Sequence, residues 1–342
     1  MAFRKEPKKY PLHIKPVSKK EILQSGLSKL KKKPKFKKIN PHTLKREELI
    51  SLIDQIRFYN KPSEILLGFK LNASELYTKG IFLKDLIKVL PLEDLSHLGY
   101  NFESILSLAL KEGYTISEIV DVGIKLNKVN DVANVLFKQN ISPEEIIKIM
   151  REHHCLPGDI IDAVIDLPGV TDIVILKGML SSKNVNMLYI VNAMVDHGIP
   201  IENIVRNLNI LKVPISDIIK TLNVMHYNVP SIIKMCIKDS GIDINKTAKG
   251  LIAVNFNLLD INKGFIENNV TLPKIAKAIL DANIRPSKET TALLKCGIDP
   301  YTVASAMFKA GASVDDVALG LINANVPGNK VRDIIIATKR SK

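Results

Sequence analysis

The stretch Asn269-Val-Thr-Leu-Pro-Lys-Ile-Ala-Lys-Ala-Ile-Leu-Asp-Ala-Asn283-Ile-Arg-Pro decides the fold, because it opens and closes on one phrase, an asparagine followed by an aliphatic residue. Outward in both directions the interval holds. Gly241, Asn255, Asn269, Asn283, Gly297, Gly311 and Asn325 stand 14 residues apart, and each is followed by an apolar or small residue. Three residues ahead of them come Ile252, Ile266, Leu280, Leu294, Phe308 and Ile322, with Lys238 alone out of pattern. Glycine and asparagine tolerate the left-handed conformation that closes a helix. The series therefore reads as one short helix per 14 residues, each stopped by the same device. Fixed-period repetition means stacked repeats rather than a globular enzyme fold.

Further upstream the phrase recurs at Gly80-Ile81, Gly99-Tyr100, Gly113-Tyr114, Asn140-Ile141, Gly169-Val170 and Gly198-Ile199. Leu126, Cys155, Asn184 and Lys212 fill the remaining turn positions, and the stretch around Asn228-Val229-Pro230 reads as a distorted repeat. Thr115, Ser142, Asp299 and Ser313, two residues after a turn, suit helix N-caps. Glu145 and Asp316 stand three residues beyond Ser142 and Ser313, as in a capping box. Pro143 and Pro300 follow their caps directly, where proline is favoured. Each unit leaves nine or ten helical residues, about 15 Å of helix. Helices this short need tertiary burial to persist. The spacing of Ile275, Ala278 and Ile279, and of Val303, Ala306 and Met307, is helical and opposes strands. The expected fold is all-α: an α-solenoid of short antiparallel helix pairs, about 28 residues per pair, over residues 43–338. An extended basic arm, residues 1–42, precedes it, and a short basic tail, 339–342, follows.

One hexapeptide, Ile141-Ser-Pro-Glu-Glu-Ile146, looks like the opening of a TAL-effector repeat, and the helix–turn rhythm is similar to that of mitochondrial transcription-terminator repeats. Those repeats run longer than two of these units. No pair of variable polar residues recurs here at one offset, so neither family is claimed.

Charge is as unevenly distributed as the repeats are even. Residues 1–46 hold 16 Lys and Arg against Glu6 and Glu21, and the rest of the chain is balanced at 33 of each sign. The whole net charge of +14 thus sits at the N-terminus. A concentrated positive segment attracts polyanions. Its candidate nucleic-acid-binding residues are Arg4, Lys5, Lys8, Lys9, Lys15, Lys19, Lys20, Lys29, Lys31, Lys32, Lys33, Lys35, Lys37 and Lys38. Pro7, Pro11, Pro16 and Pro34 keep most of it extended, with a short helix expected over residues 21–30. Phosphate neutralisation by several lysines gives salt-sensitive, sequence-independent affinity. Residues 31–38 also resemble a nuclear localisation signal. Anionic lipid would attract the same lysines, but no lipidation motif or membrane-length apolar run accompanies them.

The remaining features point away from catalysis. No phosphate loop, nucleotide fingerprint or nucleophile elbow occurs. The carboxylate pairs Glu144-Glu145 and Asp315-Asp316 fall in first helical turns, where the helix dipole explains them. His153-His154-Cys155 lacks a second pair of metal ligands at suitable spacing, and His197 and His226 stand alone. With no tryptophan and 5% aromatics, aromatic base-stacking platforms across the body are not expected. Cys155, Cys236 and Cys296 show no pairing pattern and no secretory leader is evident, so a reducing, intracellular setting, cytoplasmic or nuclear, is expected. The sequence thus predicts a non-enzymatic scaffold without cofactor, metal or small-molecule substrate, possessing a nucleic-acid-binding arm and a protein-binding body. Such a protein suits a ribonucleoprotein, a chromatin-like particle or a virion. Two alternatives share that body: a capsid-type protein whose arm ties neighbouring proteins together, or a solenoid that grips nucleic acid along its concave face. The latter requires Lys274, Lys277, Lys288 and Lys295 to line one side.

Overall fold

A computed structural model describes residues 40–59, 61–181 and 186–340, apart from the Arg340 side chain. Among the described residues the chain is all-helical and without strands, with 22 α-helices, one 3-10 turn and one π-helical segment. It divides into two compact units, Met1–Leu90 and Pro91–Lys342. The basic arm expected over residues 1–42, including its short helix over 21–30, lies outside the described residues up to residue 39.

The first unit opens on the 3-10 turn Pro41–Thr43, followed by α1 (Arg46–Ile56), α2 (Pro62–Gly68), α3 (Ala73–Thr78) and α4 (Leu83–Leu86). Left-handed residues stand at Lys61, Lys70 and Gly80. Stops only nine or ten residues apart leave room for little more than a helical turn or two, so the 14-residue rhythm does not extend here. Leu49, Ile53, Leu66, Leu71, Leu76 and Ile81 form the core. Arg46 ties the ends of this unit by donating to the Gly80 carbonyl at 2.8 Å and pairing with Asp85 at 2.9 Å.

The second unit contains the repeats. In order they are α5 (Leu92–His97), α6 (Phe102–Lys111), α7 (Ile116–Lys125), α8 (Val129–Lys138), α9 (Pro143–Glu152), α10 (Pro157–Val164), α11 (Asp172–Leu180), α12 (Met187–Asp196) and α13 (Ile201–Ile210). Then follow α14 (Ile215–Val224), α15 (Val229–Lys234), α16 (Ile244–Ala253), α17 (Leu258–Glu267), α18 (Leu272–Asp281), α19 (Pro286–Lys295), α20 (Pro300–Lys309), α21 (Val314–Asn323) and α22 (Gly328–Arg340). All seven turn residues from Gly241 to Asn325 have positive φ, from 61° at Asn269 to 95° at Gly311. Two turn positions upstream are corrected by one residue. The left-handed residue is Asn127 rather than Leu126, and His154 rather than Cys155. Asparagine fits that conformation better than leucine, and Cys155, buried at 4% exposure, is the apolar residue that follows the turn into the core. Asn184 lies outside the described residues. The irregular stretch near Asn228 resolves simply. His226 keeps the interval after Lys212, and one extra residue before Gly241 is absorbed by a π-helical segment, Met235–Asp239, continuing α15. Single-turn π segments are the usual way a helix takes up an insertion.

The expected caps are present. Ser142, Asp299 and Ser313 accept hydrogen bonds from the first-turn amides of α9, α20 and α21, while Thr115 and Glu118 form a reciprocal capping box at α7.

Counted from each helix start, the fourth residue is Ile or Val in fourteen of the sixteen helices α6 to α21, all buried; Thr247 and Glu289 are the exceptions. The fifth and eighth positions complete the inward stripe. Each buried aliphatic side chain contributes about 1.5–3 kcal/mol, which offsets the marginal stability of a ten-residue helix. Turn and core are linked directly. The amide after the left-handed residue donates to the carbonyl of the eighth residue, as Val270 does to Phe265 at 3.0 Å and Val213 to Leu208 at 3.0 Å. This is the Schellman arrangement, with its apolar residue tucked under the helix end.

Packing runs mainly between a helix and the second one along, for example α9 with α11, α16 with α18, and α19 with α21. Gly320 of α21 shows how close the approach is: a β-carbon there would lie 2.5 Å from Thr290 Cβ and 2.7 Å from the Ser287 carbonyl oxygen. Gly320→Ala therefore forces α21 away from α19. We expect a loss of about 1–3 kcal/mol, as for other overpacked sites, seen as a lower urea midpoint by circular dichroism; an unchanged midpoint refutes this close packing.

Candidate functional surfaces and a buried polar pair

The fourteen arm residues singled out from sequence, Arg4 through Lys38, all lie outside the described residues. The body presents three other features of chemical interest.

The first is a set of lateral ion pairs. Lys125 of α7 reaches Glu93 of α5 at 2.8 Å, and Lys177 of α11 reaches Glu144 of α9 at 2.7 Å. His153, just after α9, contacts Asp121 of α7 at 2.6 Å, and His197, after α12, contacts Asp162 of α10 at 2.9 Å. A carbonyl bond from Ala193 and the Asp162 carboxylate raise the His197 pKa against partial burial. These pairs connect second-neighbour helices and account for Glu144 and for the first residue of the His153-His154-Cys155 cluster. Burial pushes the Cys155 thiol up to about 11, so it packs as a small apolar group. Among the described residues no group of three or more His, Cys, Asp or Glu converges on one point. Being largely exposed, each ion pair contributes little to stability, on the order of 0–1 kcal/mol.

The second feature went unnoticed in the sequence. Glu289 occupies the fourth position of α19, where every other helix from α6 to α21 except α16 carries Ile or Val, and is fully buried. It faces Asn262, fifth residue of α17 and also fully buried, whose Nδ2 donates to Glu289 Oε2 at 3.2 Å. Two atoms of this pair, Asn262 Oδ1 and Glu289 Oε1, have no partner. Both are acceptors when Glu289 is ionised. A proton on the carboxyl supplies the missing donor, and the pair then becomes a neutral acid facing a carboxamide. Burial pushes the Glu289 carboxyl up to about 8, opposed in part by the Asn262 hydrogen bond. The signal that finds it is register: once helix starts are aligned, Glu289 is the one acid in the inward stripe of these repeats.

The third feature is charge sorting between alternate helices. Lys274 and Lys277 lie on α18, whereas Lys288 and Lys295 lie on α19, so the four named from sequence belong to alternate rows of helices rather than to one side. A shallow groove of about 490 Å³ crosses α18, α20 and α22, lined by Pro273, Tyr301, Thr302, Ser305, Lys309 and Thr338. No protein-family model matches this chain, and no curated protein is significantly similar to it. Among the described residues no helix is long and apolar enough to cross a membrane.

The Glu289 pair generates a pH dependence of definite sign. Its folded pKa lies above the usual glutamate value, so the native state binds the extra proton. Stability is then highest below about pH 4.5 and falls until about pH 8, with a slope of up to about 1.4 kcal/mol per pH unit from this group. Glu289→Gln keeps a neutral amide donor in place and should flatten the urea-midpoint profile over that range. A wild-type and variant profile that remain parallel refutes proton uptake by Glu289.

Proposed function

We propose that this protein is a non-enzymatic scaffold: a helical-repeat body that presents long protein-binding surfaces, anchored by its basic N-terminal segment to nucleic acid or to a nucleic-acid-rich assembly. In this reading the 14-residue units of the second unit pair as antiparallel helices and stack as an α-solenoid. The segregation of charge carries the proposal. All of the net +14 is confined to residues 1–46, while the remaining 33 basic residues are matched by 33 acids. The fourteen cations of residues 1–38, which the body's own charge balance does not require, are available to neutralise phosphates, releasing condensed counterions and giving affinity without sequence preference. The body supports the second half of the reading. Its repeats spend their conserved geometry on turns and an inward stripe, leaving the outward positions free to vary along the array, as in repeat proteins that bind partners over extended surfaces. Partners of this kind belong to a ribonucleoprotein, a chromatin-like particle or a virion.

Deleting residues 1–38 is expected to abolish binding to nucleic acid, measured by fluorescence anisotropy, while leaving helicity and the thermal melting profile unchanged. Undiminished affinity in the truncated protein rejects the anchoring role. If the arm instead ties neighbouring proteins together, its lysines crosslink to acidic polypeptides and ultraviolet light yields no nucleic-acid adduct.

A further inference from the structure

Helical register divides each ten-residue helix into inward and outward positions. At 100° per residue the fourth, fifth and eighth positions face the core, and the third, sixth and tenth point away from it. On α16, α18 and α20, the tenth residues Ala253 and Asp281 apart, those outward positions are basic or hydroxylic. They are Lys246 and Lys249 on α16, Lys274 and Lys277 on α18, and Thr302, Ser305 and Lys309 on α20. The lysines are all exposed. Each of these helices packs on its second neighbour, α16 on α18, α18 on α20 and α20 on α22, so they form one continuous row. The four helices carry nine Lys and Arg against Asp281 and Asp333. The intervening helices α17, α19 and α21 carry three basic and five acidic residues. A body neutral in sum is therefore polarised between alternate rows of helices.

The lateral ion pairs sharpen the contrast. Between residues 93 and 197 cations are engaged by acids on second-neighbour helices. In the α16–α20 row the described ion pairing is limited to Lys277 with Asp281, within α18, at 2.8 Å. Lys246, Lys249, Lys274 and Lys309 have no acidic partner among the described residues. Lysines without partners, repeated over successive helices, keep the row's positive potential unquenched. The groove across α18, α20 and α22 continues this row and holds the hydroxyls of Thr302 and Ser305 beside Lys309, with Tyr301 at its edge, 48% exposed. Cations spaced along a row, hydroxyls and one accessible aromatic ring match a phosphodiester backbone with unstacked bases.

We infer that the outward face of α16, α18 and α20 is a second nucleic-acid contact, on which a single strand lies with its phosphates against Lys246, Lys249, Lys274 and Lys309 and a base against Tyr301. This rests on the proposed partner class of the N-terminal segment, but it places a contact in the folded body, in residues that the overall charge balance conceals. Two anchors on one chain raise the effective concentration of the second for the same strand, so neither needs high intrinsic affinity.

The test uses the full-length chain and fluorescein-labelled oligothymidylate and oligouridylate. One variant carries Lys246→Gln, Lys249→Gln, Lys274→Gln and Lys309→Gln. A control carries Lys238→Gln, Lys263→Gln, Lys288→Gln and Lys295→Gln, on the odd-numbered helices and the π segment. A third neutralises Lys31, Lys32, Lys33, Lys35, Lys37 and Lys38. The first variant is expected to bind at least about tenfold more weakly than the control, and its slope of log K against log salt should shrink by roughly 3, since each single-strand phosphate contact contributes about 0.7. Tyr301→Ala should weaken binding by about tenfold with little change in that slope. Equal affinity for the first variant and the control overturns the inference, whatever the third variant does. Loss in the first variant with full affinity in the third upholds this face and rejects the arm as anchor. Failure of the wild-type chain to bind either oligonucleotide, or tighter binding of polyglutamate than of both, overturns the two together. Circular dichroism verifies that each variant keeps wild-type helicity, which surface Lys→Gln changes preserve.

Discussion

Everything in the repeat unit depends on stopping a helix after ten residues and reversing into the next without exposing backbone. A single left-handed residue does this by turning the chain so that the following amide bonds back to the eighth residue of the helix just ended, as at Val270 with Phe265. Because that eighth residue is also part of the buried stripe, the turn and the core fix one another. A helix that overran its stop would carry its apolar positions out of register with the second-neighbour helix it must pack against. The steric tolerance of Asn and Gly for positive φ is thus the constraint behind the uniform interval, and the π-helical segment after α15 shows its strength. There the chain accommodates an extra residue inside a helix rather than move the next turn.

Polar chemistry in the body is sorted by that register. Outward positions take charges freely, and in the first half of the second unit they pair laterally, whereas along α16, α18 and α20 they remain mostly unpaired. Inward positions admit polar groups only where a neighbour compensates. Asn262 and Glu289 form such a compensated pair only when the carboxyl carries its proton, since the ionised form leaves two acceptors facing one donor set. The cost of burying that acid is a cost of folding, and it falls on α17 and α19, the helices that alternate with the basic α16, α18 and α20.

Much of the architecture was legible because its determinants are local. Gly241, Asn255, Asn269, Asn283, Gly297, Gly311 and Asn325 announce their own backbone conformation, and Ser142, Asp299 and Ser313 announce the next helix start. Legibility faded where residue type and conformation part company. Lys61, Lys70, His154 and His226 adopt left-handed geometry with no compositional signal, which shifts the expected turn at His154 to Cys155, whereas Asn127 carries the signal one residue beyond Leu126. Glu289 was invisible for a different reason. One acid among 35 is unremarked until aligned helix starts show that it stands in a column made up, Thr247 apart, of isoleucine and valine. The row of lysines on α16, α18 and α20 is hidden in the same way, because a sum over the chain cannot reveal how alternate helices divide the charge.

By itself, then, the sequence determined where helices end, which residues cap them and that a uniform series of short helices must share one core, because these follow from backbone sterics and period alone. It also determined that the net charge is concentrated in the first 46 residues. Only the tertiary structure decided that helices pack chiefly on their second neighbours, that residues 40–90 follow a shorter rhythm as a separate unit, and that Asn262 meets Glu289. It alone set the lysines of α16, α18 and α20 in one row. Such relations join residues some 27 or more positions apart, and their strength depends on helix approach distances that no local propensity encodes.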